Sequence, residues 1–325
     1  MESESVTNPH SVHPGLPWPA EFTDYQHEVG AKWEVNTLRL HKELAGKSGA
    51  FVYLVHVQAA KYSGYAILKL EKRETWHTLP REAEQLSSAR SVSGDFAERH
   101  LPRILEDFNR DSVTISLFSI AANGLEYVFP LAKLDAAIDK TLPLVSEGLV
   151  SWSAIGHAKS DHPVYARELL VTWLGYRIDP KSGGRLHGFL KQCGVDGSDL
   201  GFSAAGTVYP NPLEFCLTDH GDTDLYPLLG QQHGDCHGNN ILLHQQHEMA
   251  DPDYFLIDFN LYQQHWPIFY DHAYLELSLL LENAGLFDAN RWDALLTYSG
   301  KRPGEADKKL LRPEDNVYAT IIRSL

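Results

Sequence analysis

Residues 233–240 read HGDCHGNN: two histidines, an aspartate, a cysteine and two asparagines within one turn, followed by the apolar run ILL. Three chemistries compete for this set. A zinc cluster would draw on the imidazoles of His233, His237, His244 and His247, yet no HExxH helix or cysteine partner completes it. GDCHG, residues 234–238, has the GDxHG form of metallophosphatases, but no GDxxDRG or GNHE follows to hold a second metal. Phosphoryl transfer needs a base near the acceptor hydroxyl, a metal at the nucleotide phosphates and a cation that neutralises phosphate oxygens. Asp235 with Asn240, five residues on, and Asp258 in IDFN supply a base and two oxygen ligands suited to a hard cation. Asp258 stands between apolar Ile257 and Phe259, where an unpaired carboxylate is costly to bury unless it is bonded or metal-bound.

The elements that must position these groups are legible as pattern. TLRLHKEL, FVYLVHV and GYAILKL are short, β-branched or aromatic runs with short links, which predicts an antiparallel meander with Lys69 on its third strand. The link AGKSGA fails as a P-loop, because His41 occupies the first glycine position and a strand follows instead of a helix. It remains a turn whose backbone N–H groups, at Ser48 and Gly49, could lie over nucleotide phosphates. RETWHTLPREAEQLSSAR is rich in helix formers and carries Glu82 and Glu84. SVTISLFSI and EYVFPL predict two more strands around the turn AANG. Past Pro130, LAKLDAAIDKTL and VYARELLVTWLGYRI show helical periodicity, and CGVDGSDLGFSAAGTVYPNPLEF reads as loop. NILL and YFLI predict two strands joined by HQQHEMADPD, and FYDHAYLELSLLLENAG a buried helix stopped at Gly285. The expected division is a loose arm over 1–20, a strand-rich part over 21–130 and a helix-rich part over 131–325.

HGDCHGNN and IDF resemble the H-G-D-x-H-x-x-N loop and I-D-[FW] strand of the aminoglycoside phosphotransferase and choline kinase group of protein-kinase-like folds. The resemblance implies a two-lobed α+β fold. Its small lobe would be a five-stranded antiparallel sheet with one helix, and its larger lobe mainly helical. It implies Asp235 as catalytic base, Asn240 and Asp258 as Mg²⁺ ligands, and Lys69 on the α and β phosphates, paired with Glu82 or failing that Glu84. Val128, in EYVFPL, would lie in a hinge whose backbone bonds the adenine, and Asp271, in YDHAYLE, would brace the catalytic loop. The chain departs from the family at Asn260, where many members have an acid, at Cys236 in place of leucine, and in lacking a full GxGxxG.

Composition narrows the partners. With 43% hydrophobic and 22% charged residues the chain is that of an ordinary globular protein. Its charge of -15 opposes DNA, RNA and anionic membranes and suits a cationic acceptor. The polar, acidic start MESESVTNPHSVHPG has no secretory pattern, and no apolar run nears the roughly 20 residues of a membrane span, so the expected compartment is the cytoplasm. Three scattered cysteines make no disulfide framework. The function expected is Mg²⁺-dependent transfer of the γ-phosphate of ATP, with GTP left open, to a hydroxyl of a small molecule. The alternative is a kinase-like nucleotide- or partner-sensing module of a larger signalling or defence protein, with weak or no turnover. The apolar ending EDNVYATIIRSL motivates it by suggesting further domains beyond Leu325.

Overall fold

Short runs of β-branched and aromatic residues form the antiparallel meander that their spacing predicts. The computed structural model describes residues 18–44, 49–73, 80–120, 128–133, 138–174, 178, 185–192, 194–196, 198–204, 207–219, 222–244 and 253–282. Residues 1–17 of the expected arm, Ser48, the turn AANG, the link 245–252, Gly285 and the C-terminal run lie outside them. The chain divides into two compact units, Met1–Gly156 with Gln231–Leu325, and His157–Gly230. The change of character expected at residue 130 falls inside the first unit.

In the first unit a 3₁₀ turn leads into α1 (Gln26–Lys32), then β1 (Val35–Leu44), β2 (Phe51–Ala59), β3 (Ser63–Lys72), α2 (Glu82–His100), β4 (Ile104–Arg110) and β5 (Val113–Ser119). The strands form one antiparallel sheet in the order β1-β2-β3-β5-β4. Alternation along β3 decides which side chains reach the site. Ala66, Leu68 and Leu70 enter a cluster with Phe22, Trp33, Val55, Ile115 and Leu117. Fully burying a leucine such as Leu68 contributes about 1.5–3 kcal/mol. Residues 67, 69 and 71 lie on the other face, where Ile67 packs against a second cluster that includes Leu86 of α2.

The rest of the unit holds β6 (Val128–Pro130) and α3 (Ile138–Ser153). Within the second unit come β7 (Ala158–Lys159), β8 (Val164–Tyr165), α4 (Ala166–Leu174), α5 (Arg185–Gln192), β9 (Gly201–Ala204), β10 (Thr207–Pro210), α6 (Pro212–Leu217) and β11 (Asp224–Leu225). β12 (Leu228–Gln232) leads back into the first unit, which continues through β13 (Ile241–His244), β14 (Asp253–Leu256), a 3₁₀ turn at Phe259–Leu261, β15 (Gln263–Pro267) and α7 (Tyr270–Glu282). Leu86, Phe96, Trp152, Leu256, Phe259, Leu275 and Leu279 share one core, which ties α2, α3, β14 and α7 together. The second unit has its own small core of Ile178, Leu190, Leu213 and Cys216.

Three expectations are corrected. The fifth strand of the sheet is β4, ILEDFNR, an edge strand with only Phe108 fully buried, whose charges hid it from a hydrophobic pattern. EYVFPL instead supplies β6, which pairs with β13 through Phe129 and Leu243. The stretch read as loop contains the β9–β10 hairpin and the start of α6. Asn211 caps α6 by accepting the Leu213 N–H at 3.0 Å, and Pro212 follows at the first helical position, a start signal present in the sequence NPLEF. Among the described residues, the half beyond Pro130 is thus helices interleaved with short hairpins. None of the helices among the described residues is long and apolar enough to cross a membrane.

Candidate functional site

The loop between β12 and β13 is held by side chains bonding backbone. Asp271, fully buried at the start of α7, accepts the N–H of His233 at 2.5 Å and of Gly234 at 3.0 Å, while its own N–H donates to Gln232 Oε1 at 2.8 Å. Burial pushes the Asp271 carboxyl up to about 7, against the opposing pull of those two N–H donors. His233 accepts the Asp235 N–H at Nδ1, 3.3 Å, and donates from Nε2 to Ile257 O at 2.9 Å, which is the neutral tautomer that its burial favours. The turn at Gly234 has φ 81°, and a Cβ there would sit 2.0 Å from Leu261 O, so only glycine fits. Asn240 donates its amide to Asp235 O at 3.0 Å and Oδ2 at 3.3 Å, which fixes the carboxylate and leaves the amide oxygen without a described donor.

The sheet side is held by charge. Lys69 donates to Glu82 Oε2 at 2.6 Å, and both side chains are nearly buried. Its Nζ is also 3.0 Å from Glu71 Oε1 and 3.5 Å from Asp258 Oδ1. Burial alone would lower the Lys69 ammonium, but Glu82, then Asp258 and Glu71, outweigh it and hold it above the ordinary lysine value. The other oxygen of Glu82 accepts the Phe259 N–H at 3.3 Å, so one carboxylate joins sheet, helix and the segment after β14. Glu82 is aimed by its neighbours. Arg81 donates to Asp107 of β4 at 2.6 Å and to Glu84 at 2.7 Å, and Ser116 of β5 donates to the other oxygen of Asp107 at 2.8 Å. Glu84 therefore serves the start of α2 and not Lys69.

Asp258 adopts the left-handed conformation, φ 67° and ψ 70°, which costs a non-glycine residue about 1–3 kcal/mol. Asn260 holds it there by donating to Asp258 Oδ1 at 2.6 Å. Asp235, Asp258, Asn260, Glu71, Arg81 and Gly49 line one cavity of about 300 Å³ in the first unit. Gly49 has φ 78° with open space at its Cβ position. Among the described residues no group of three or more His, Cys, Asp or Glu could hold a metal unaided. One carboxylate at Asp258 and one amide oxygen at Asn240 suit a hard cation whose shell phosphates and water complete.

Of the sequence-predicted residues, then, Lys69, Glu82, Asp258 and Asp235 are gathered at one place, Asn240 is bonded to Asp235, and Gly49 borders the cavity. Val128 is not brought to it: it sits on β6, paired with His244, and does not line the cavity. Cys236 is a buried thiol in the core, its pKa raised by burial. Sequence reasoning missed Glu71 and the Arg81–Asp107 tie. The period of two along β3 was the available signal for Glu71, which must face the same way as Lys69.

No known family model matches the chain, and no curated protein matches it. Among solved structures, that of a presumed fructosamine-3-kinase from Haemophilus somnus 129PT is similar over 90% of this chain and 92% of that one, with 11% identity and a TM-score of 0.41.

Proposed function

We propose that this protein is a metal-dependent phosphotransferase of two-lobed, protein-kinase-like build that moves the γ-phosphate of ATP to a hydroxyl of a small molecule. One observation carries the reading: the Lys69 ammonium touches both Glu82 and Asp258 while Asp235 borders the same cavity. Phosphoryl transfer uses this combination of buried cation, metal-holding carboxylate and base. Asp235 would take the hydroxyl proton as the oxygen bonds to the γ-phosphorus and the bond to the β-phosphate oxygen breaks, releasing ADP. Lys69 would neutralise phosphate oxygens, and Asn240 and Asp258 would hold Mg²⁺, which when bound supplies further charge neutralisation at the β and γ phosphates. The acidic chain suits an amino sugar or amino alcohol as acceptor.

The test is ADP release from Mg·ATP across amino sugars, amino alcohols and plain sugars. Asp235→Asn should lower kcat by about a thousandfold and leave nucleotide affinity within about threefold, the split expected of a base. Asp258→Asn should weaken Mg·ATP binding itself. Absence of nucleotide binding at millimolar Mg·ATP, or full turnover by Asp235→Asn, would sink the proposal. Asn260 favours a second reading, a nucleotide-sensing module with little turnover, because its amide occupies Asp258 Oδ1 where the resemblance leads one to expect a further acid. Tight Mg·ATP binding without ADP release on any acceptor supports that reading.

A further inference from the structure

Lys69 is surrounded by more negative charge than an ion pair requires. Three carboxylates, Glu82, Glu71 and Asp258, lie at 2.6, 3.0 and 3.5 Å from one ammonium. Glu82 is already committed, since its second oxygen accepts the Phe259 N–H. Glu71 is different: Lys69 is the only hydrogen-bond or ion-pair partner of its carboxylate among the described residues, and Glu71 borders the cavity while Lys69 does not. A phosphate entering the cavity therefore meets the Glu71 carboxylate on its wall, beside the cations Lys72, Arg73 and Arg81, while the Lys69 ammonium is held by carboxylates.

We propose that Glu71 is a specificity-determining residue that occupies Lys69 before nucleotide binds and bars nucleotide that arrives without a divalent cation. The inference rests on the phosphotransferase reading above and adds a selectivity to it. Charge at close range makes the difference. Metal-free ATP brings its phosphates toward Glu71 and Asp258 as well as toward Lys69, and in a partly buried site the repulsion is weakly screened. Magnesium-bound ATP brings its own compensating charge, so the phosphates can take Lys69 while Glu71 turns to the cation side or to water. The side chain has room to do so, being partly exposed at the end of β3, where Lys72 and Arg73 also border the cavity. The chain thus distinguishes the reactive metal complex from the free nucleotide at the binding step.

The experiment compares the affinity of full-length wild type, Glu71→Gln and Glu71→Ala for ATP in EDTA and in excess Mg²⁺, by calorimetry or a fluorescent ATP analogue. Wild type should prefer Mg·ATP over metal-free ATP by a wide margin. Both variants should bind metal-free ATP at least about tenfold more tightly than wild type, with a smaller change for Mg·ATP, so that the preference collapses. Thermal melts check that the variants are folded, and the alanine variant stands in should glutamine pack badly. A merely structural role for Glu71 would weaken both affinities together, and that result overturns the proposal. An unchanged preference in folded variants overturns it as well while leaving the phosphotransferase reading intact. Absence of Mg·ATP binding by wild type would instead overturn both.

Discussion

The two sides of the site are built from different forces. On the loop side, Asp235 is positioned by neutral or singly charged groups bonding backbone: Asp271 to two N–H groups, His233 to an N–H and a carbonyl, Asn240 to a carbonyl. On the sheet side, Lys69 is positioned by three carboxylates and by no backbone group among its described contacts. The loop is therefore fixed by hydrogen bonds from the chain itself, whereas the sheet side is a charge cluster that a phosphate or a cation would rearrange. Under the proposed phosphotransfer, the loop would present Asp235 in a fixed position while the charge cluster around Lys69 would give way to the phosphates.

The sharpest way to break the loop side alone is Gly234→Ala. A Cβ would lie 2.0 Å from Leu261 O at a φ of 81°, so the turn has no relaxed alternative. We expect a loss of more than about 4 kcal/mol in urea unfolding, or failure to fold. A loss under about 1 kcal/mol would show that the turn is not fixed, and the contrast between the sides would fail.

The sheet side is tested by Lys69→Met, which leaves Glu82 buried beside Asp258 without its cation. Removing one partner of a buried pair costs about 3–5 kcal/mol. We expect about 3 kcal/mol, at the low end, because Glu71 and Asp258 can turn to solvent. Lys69→Met with Glu82→Gln should recover more than half of that loss, measured as a double-mutant cycle. Additive losses would mean that the two residues do not share an interaction.

This contrast also explains what was legible in the sequence. The loop is a local object: His233, Gly234, Asp235 and Asn240 lie within eight residues, so motif and geometry coincide. The sheet side is assembled across distance, thirteen residues from Lys69 to Glu82 and 177 from Glu82 to Phe259. Order along the chain was enough to pair Lys69 with Glu82, because strand and helix periodicity is a local signal. Nothing local marked Asp107, which lies on an edge strand whose charged residues conceal its pattern, although it is what turns Arg81 and hence the start of α2 toward Lys69. Val128 shows a different limit. Its apolar, β-branched neighbourhood was read as a strand, and it is one, but pattern alone cannot choose a partner, and β13 took it.

The smallest expected effect is the one that separates burial from hydrogen bonding inside the loop itself. Asp271 is fully buried, and burial holds its carboxyl up to about 7 in spite of the two N–H donors. A carboxyl whose folded pKa lies above its unfolded value binds protons more readily in the folded chain. Its contribution to stability is therefore fully present below about pH 4, the ordinary aspartate range, and is lost as pH rises through about 7. Asp271→Asn cannot titrate, and its NH₂ group would face one of the two N–H donors. We expect it to cost about 2 kcal/mol near pH 5. The gap between wild type and Asp271→Asn should then narrow as urea unfolding is repeated toward pH 8. A gap that stays constant or widens would mean that the N–H groups of His233 and Gly234 hold the carboxylate ionised throughout. The loop would then depend on charge as the sheet side does, and the distinction between the two sides would reduce to which partners carry it.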